Sequence, residues 1–483
     1  MRDTSKYICA AMVLAFAAVA CDRSTPIASD PGDNVEYPRV DFTQGFSPPG
    51  ALTGALATEV VAWFPAQVSW QWLTDNIAHS GATALGAGTP CTGCHAGQET
   101  ALGRAMVASD PEPIQGKDPY KRIQVQAAYD HTNLYLRVQW ESERPGITHQ
   151  MFRWDGEAWV PGTTLKPNPL GPNQIYSYED RFAVIFDDAE VQVPAYDGAS
   201  VGYREAGCFI TCHTSMRDMP QDAPGDQVRA HPYLGQEKGR SDIRKYLLLS
   251  REPGAQHRSD GAWAEVKSVA ELDQLLEAGR FLDLWQFRGA RSAPMQKASD
   301  DFVLEYRWSG LTGRNAWFDQ IPDDGRFTTG DWMYDESALG FRAIPVESFE
   351  EWLEEAPLVT EGPHRNAVPF DPGATFLRGD LLPRRVLRQA TGSRGDVNAY
   401  GLWSDGKWTV TFVRALDTGN PDDHAFVAGG IHSISLAVFD DHTTSRRHYV
   451  TFPVTLGLGV DADIAAVPVG GSASAFPLIP SKR

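Results

Sequence analysis

The sequence predicts a mainly β protein: an antiparallel β-sandwich with long loops, preceded by a small helical or irregular segment. Three observations predict it. Short runs of alternating apolar and polar residues recur from about residue 120 onward, Gly/Pro-rich connections separate them, and helical periodicity is confined to short stretches. Successive side chains of a strand point to opposite faces, so alternation marks a sheet with one face on a core. With 42% hydrophobic residues, 14 Trp and 22 Phe, the chain has ample apolar material for a large core.

Residues 1–21 carry Arg2 and Lys6 ahead of an apolar run from 7 to 20 that ends in small residues. This is the pattern of a secretory signal and too short for a good membrane span. The run closes on Ala18-Val19-Ala20-Cys21, similar to the processing site of bacterial lipoproteins, where Cys21 would become an acylated N-terminus holding the protein on a membrane surface. Ordinary signal cleavage is the alternative, because Ala18 stands where leucine is usual. Residues 22–50, rich in Pro, Asp, Ser and Gly, read as a flexible linker. Residues 51–114 form the N-terminal segment, with Trp63, Trp70 and Trp72 ahead of its cysteines. Within 115–460, strands are expected at 123–129, 134–140, 182–186, 302–308, 408–414, 434–439 and 448–454. The turn Asp130-His131-Thr132-Asn133 makes a hairpin of the first two. Helices are expected at 269–278 and 346–354. Residues 461–483 read as a C-terminal tail, and no internal repeat is evident.

Of six cysteines, Cys9 and Cys21 lie in or beside the N-terminal apolar segment. The other four form Cys91-Thr92-Gly93-Cys94-His95 and Cys208-Phe209-Ile210-Thr211-Cys212-His213. A cysteine pair closed by a histidine is the arrangement that attaches c-type haem: Cys91, Cys94, Cys208 and Cys212 would form thioethers, and His95 and His213 would ligate iron from below. The second motif has three residues between its cysteines, a rarer spacing. Two other readings remain at this point, a zinc site built from four thiolates and a histidine, and a disulfide within each motif. Covalent haem attachment takes place outside the bacterial cytoplasm, so the motifs and the signal agree on a periplasmic location.

Each iron has a sixth position. For the first haem, His79, twelve residues before Cys91, is the candidate, against a solvated loop histidine, with Met106 as substitute. For the second, His442 and His448 are the candidates, one of them with an alternative role as a turn hydrogen-bonder. His231 and Met216 are nearer in sequence but lie in no supporting pattern. Asp187-Asp188 and Asp440-Asp441 read as turn residues, and no nucleophile–base set or phosphate loop is present. The formal charge of −19 disfavours nucleic acid as a partner and suits docking against a basic redox partner, with simple solubility the plainer reading.

Several further segments carry a resemblance: the 129–140 hairpin, residues 283–292, Gly392-Ser393-Arg394-Gly395-Asp396-Val397, and the stretch from Val438 through His442 to Arg447-His448-Tyr449-Val450. In that order, over roughly 115–460, the chain resembles the haem-binding domain of the ethylbenzene dehydrogenase family, and more closely its branch of exported c-type cytochromes. The resemblance implies a β-sandwich with haem among its loops and a role in passing electrons. It also implies a partner, the catalytic subunit of a molybdenum oxidoreductase of the dimethyl sulfoxide reductase type. In the type subunit a methionine and a lysine hold a non-covalent haem b; here Arg288 stands where the lysine is expected, and arginine is no ordinary iron ligand. The cysteines and His213 are expected to replace that pair, and Arg288 and Arg291 are read either as propionate partners or as ion pairs. Two covalent haems make the leading expectation a lipid-anchored electron-transfer cytochrome rather than an enzyme. A haem enzyme or gas sensor with one open iron site is the alternative, and a haem-free binding module the third reading.

Overall fold

Period-two alternation sets both layers of the sandwich. The structure is a computed structural model and describes residues 39–64, 68–110, 117–163, 178–187, 191–195, 198–219, 221–253, 261–307, 312–320, 326–349, 367–440 and 447–470. Its centre is a 13-stranded sheet. In chain order the strands are β1 (Val40–Asp41), β2 (Thr58–Trp63), β3 (Tyr120–Tyr129), β4 (Asn133–Glu141), β5 (Arg181–Asp187), β6 (Leu282–Arg288) and β7 (Ser299–Val303). There follow β8 (Asn398–Ser404), β9 (Lys407–Ala415), β10 (Ile431–Phe439), β11 (Tyr449–Val450), β12 (Val454–Leu458) and β13 (Ile464–Pro468). Hydrogen-bonded neighbours run β1-β8-β9-β4-β3-β2-β11-β10-β5-β6-β7, and β12 and β13 bridge from β10 back to β3. All pairings are antiparallel except those of β13, which lies parallel to both β12 and β3.

On β3 and β4 the buried residues are every second one, Ile123, Val125 and Ala127 against Leu136, Val138 and Trp140. They meet the inward residues of the other half of the sheet: the Trp140 and Phe182 rings are 5.2 Å apart, and Trp285 and Phe412 are 6.2 Å apart. The two halves therefore pack face to face over one core, with the aromatic residues dominating the contact. Strand β5 is buried at every position. Phe182, Val184 and Phe186 enter this core, while Ala183 and Ile185 face a second apolar cluster that contains Cys208 and Phe209. A smaller cluster around Trp159 and Leu381 underlies a three-stranded sheet of Met151–Trp154, Trp159–Pro161 and Leu381–Pro383.

Most of the expected strands are present with shifted ends, but of 302–308 only Phe302 and Val303 lie in a strand, β7, and several other segments differ from expectation. The linker expected to run to residue 50 already pairs Val40 with Trp403, and residues 51–114 contribute β2 to the main sheet through Val60 and Ile123. The tail from 461 contains β13. Each of these strands offers too few alternations to be read from periodicity. Residues 282–288, not among the expected strands, are β6, and Pro453, which has no N–H to donate, separates β11 from β12 where one strand was expected. The helix Val269–Glu277 begins in a Ser268/Glu271 capping box; at 346–354 only a 3-10 turn, Val346–Ser348, falls among described residues with assigned structure besides Phe349.

Candidate functional site

The first cysteine motif forms the helix Cys91–His95, entered through Pro90. Cys94 is exposed, Cys91 and His95 are half-buried, and burial pushes the Cys91 thiol up to about 12. The next helix, Glu99–Ser109, lies so close to the chain before β3 that a Cβ on Gly103 would stand 2.1 Å from the Pro119 carbonyl oxygen. That contact seats the helix after the motif against β2 and β3.

His79, in the turn after the helix Trp70–Leu73, faces His95. Their ring centroids are 6.3 Å apart and their planes differ by 23°. Metal–nitrogen bonds of about 2 Å on each side, plus about 1.2 Å from each nitrogen to its ring centre, call for roughly 6.3 Å. The separation therefore matches two imidazoles sharing one metal ion. Second partners select the tautomer: His79 Nδ1 lies 2.8 Å from the Leu73 carbonyl oxygen, and His95 Nδ1 lies 3.3 Å from Gln98 Oε1. Donation from Nδ1 leaves Nε2 as the basic nitrogen of each ring. Met106, the substitute, packs against the second apolar cluster.

The second motif follows the helix Tyr203–Ala206 and forms a 3-10 turn, Gly207–Thr211. Cys208 and Cys212 both border a cavity of about 60 Å³. Its walls come from the second faces of the sheet: Arg181, Ala183 and Ile185 from β5, Leu284 and Gln286 from β6, and Ser435, Ala437 and Phe439 from β10. Small residues at 183, 435 and 437 hollow it out. Met216, Lys245 and His448 also border it, with the guanidinium groups of Arg181, Arg217, Arg244 and Arg307. The lining, largely apolar with two cysteines and a rim of cations, has the chemistry that a porphyrin and its two propionates need, and the walls would have to part to admit one. Lys245 Nζ donates to Thr211 Oγ1 at 2.9 Å and to Cys212 Sγ at 3.4 Å. Burial pushes the Cys208 thiol up to about 12.

His213 does not border this cavity. It is fully buried on the other side of the turn, its Nδ1 3.2 Å from Gln71 Nε2 and its Nε2 3.1 Å from the Tyr246 carbonyl oxygen. Its ring stacks on Tyr246 at 4.1 Å, and burial lowers it to about 3, so it stays neutral. His448, 6% exposed, stacks on Phe439 at the cavity wall. His442 and Cys21 lie outside the described residues. His231 caps the turn Pro232–Glu237, accepting from Leu234 N–H, with Nε2 2.6 Å from the Ala264 carbonyl oxygen.

The two motifs are joined. Trp70 N–H donates to the Cys212 carbonyl at 2.6 Å, Gln71 reaches His213, and Trp72 stacks on His79 at 5.3 Å, so one short helix touches both. An aromatic column runs alongside: His95 to Phe452 at 6.1 Å, Phe452 to Trp63 at 5.7 Å, and Trp63 to Phe209, inside the second motif, at 5.7 Å.

The other sequence readings fare as follows. All four described cysteines are free thiols, and among the described residues neither motif contributes to a convergent group of three metal-ligating side chains. Arg288 bonds Ser299 Oγ at 2.9 Å and Asp301, and Arg291 pairs with Glu179, so both act as structural ion pairs rather than at the cavity. Asp440 is buried and ion-paired to Lys117 and Lys121. No helix among the described residues is long and apolar enough to cross a membrane. Sequence reasoning missed Lys245 and the four cavity arginines, and set Met216 aside. Arg181 alone left a signal, an arginine opening an otherwise apolar strand.

Two comparisons bear on this arrangement. Residues 96–451 match the family described as ethylbenzene dehydrogenase. A protein named cytochrome c-552 from Stutzerimonas stutzeri is 38% identical over 422 residues, which are 86% of this chain and 90% of that protein. The chain belongs to the ethylbenzene dehydrogenase family.

Proposed function

We propose that this chain is an exported c-type cytochrome that carries electrons between redox partners through two covalently attached haems. The observation that carries the reading is the pairing of His79 with His95 at 6.3 Å over the first cysteine motif. The resemblance to a protein named cytochrome c-552 supports the same class. Bound haem supplies a one-electron iron couple whose potential follows its axial ligands and burial. At the first centre Cys91 and Cys94 hold the group and His95 and His79 ligate it. At the second, Cys208 and Cys212 would hold it, the cavity arginines Arg181, Arg217, Arg244 and Arg307 would supply positive charge for its propionates, and Met216 and His448 would offer donor atoms from the cavity wall. The column through Phe452 and Trp63 gives the centres a short route for exchange.

The protein is assigned to the periplasm, held on a membrane by lipid at Cys21, with redox proteins as partners and a molybdenum oxidoreductase subunit among them. One observation favours a second reading, a haem enzyme or gas sensor: the His213 ring is engaged away from the cavity, which leaves a position open if only one wall donor binds. Carbon monoxide added to the reduced protein separates the two. No binding supports pure electron transfer; binding at one haem equivalent supports the open site. Met216→Ala and His448→Ala, read by the low-spin bands, identify the donor.

A further inference from the structure

The segments 283–292 and 392–397 share motifs with the family, yet the haem centres use none of Asp283, Asp300 or Asp396. These carboxylates gather instead at the far end of β6 and β7. Asp283 lies on β6, Asp300 on β7, and Asp423 in the loop after β9, and one ligand oxygen from each falls within 4.8 Å of the others. Oxygens on opposite sides of a calcium ion, at about 2.4 Å each, are about 4.8 Å apart. We propose that Asp283, Asp300 and Asp423, with Asp396 beside them, bind one hard divalent cation of the calcium type.

The second observation is the condition of these oxygens. Asp300 is 1% exposed, and its oxygens meet no donor from outside the cluster, only the carboxyl of Asp396; Asp283 Oδ1 and Asp423 Oδ1 have no hydrogen-bond donor. Buried carboxylates left so are costly to desolvate. The cations nearby do not offset them. Arg414 Nη1 binds Asp283 Oδ2 at 2.6 Å and stands 3.9 Å from Asp423 Oδ1, and Lys297 bonds the Gly395 carbonyl and Asn398. Four carboxylates against these two cations leave two negative charges, the charge a divalent ion neutralises. Asn420 Nδ2 donates to Asp396 Oδ2 at 2.8 Å and Asp423 Oδ2 at 3.2 Å, holding their second oxygens. Magnesium, which keeps near-octahedral geometry and its waters, suits this buried all-carboxylate group less.

The bound ion fastens the 416–426 loop and the Ser393–Gly395 turn to the sheet, a role independent of the haem reading. The test uses the purified holoprotein with haem content read on every sample. Elemental analysis after desalting is expected to give about one calcium per chain, removable by EGTA. Removal is expected to lower Tm by about 3 °C relative to calcium at a hundredfold its Kd, and magnesium not to restore it. Asp300→Asn is expected to hold no calcium and to melt at one temperature with or without it. Metal-free wild type whose Tm ignores both EGTA and calcium overturns the proposal, as does Asp300→Asn responding like wild type.

Discussion

Replacing His79 by alanine separates its two roles. As a plain loop residue, the ring supplies one hydrogen bond to the Leu73 carbonyl and a stack on Trp72, which is 45% exposed. The bond is worth about 1 kcal/mol and a half-exposed stack about 0.5–1, so the structural cost is about 2 kcal/mol. In a protein of this size that lowers Tm by about 2 °C. As an iron ligand, the same ring fixes spin state and closes the sixth position. The expected result for His79→Ala is a small fall in Tm together with conversion of one haem to a five-coordinate form that binds carbon monoxide when reduced. Added imidazole, filling the space that the His79 ring vacates opposite His95, is expected to restore the low-spin spectrum. A variant with the 2 °C loss but an unchanged spectrum and no carbon monoxide binding would refute the geometric argument.

Trp63→Phe keeps a ring between Phe452 and Phe209 and is expected to cost under about 1.5 kcal/mol, whereas Trp63→Ala opens a cavity worth about 3–5 kcal/mol. Flash photolysis should show inter-haem exchange slowed in the alanine variant more than in phenylalanine; equal rates in all three would remove the column from the route. Gly103→Ala meets the Pro119 carbonyl at 2.1 Å and is expected to lose about 1–3 kcal/mol in denaturant unfolding, with no loss meaning the helix does not press there. His149 is buried, and burial together with the guanidinium groups of Arg291 and Arg385 holds it well below the usual histidine value. The native state therefore binds fewer protons there, so its contribution is full above pH 6.5 and is lost as pH falls, at up to about 1.4 kcal/mol per unit. His149→Gln should flatten that part of the stability–pH curve between pH 6.5 and 4.

The layers of the sandwich were legible because β3, β4, β9 and β10 alternate, and alternation is the direct imprint of a half-buried strand. β5 shows the limit of that signal. Its Phe182, Val184 and Phe186 announce the core, but Arg181, Ala183 and Ile185 face a cavity, and small residues that make room look the same in sequence as small residues that fill a tight contact. The cysteine motifs were legible because adjacency in sequence is their chemistry. His79 was legible as a candidate because it lies on the same short segment as His95. Met216 and Lys245 were not, because their relation to Cys212 depends on which way the 3-10 turn opens. His213 shows the converse: adjacency to Cys212 nominated it, and the turn carried its ring to Gln71 and Tyr246. The short strands β1, β2 and β13 are set by partners far away in sequence, which periodicity cannot see.

The central claim is that both cysteine motifs carry haem. Intact mass of the mature protein, matured with the cytochrome c assembly machinery and combined with a pyridine haemochrome spectrum, counts the covalent groups directly. The account predicts two per chain, with Cys208→Ala reducing the count to one; a wild-type count of one or none would contradict it.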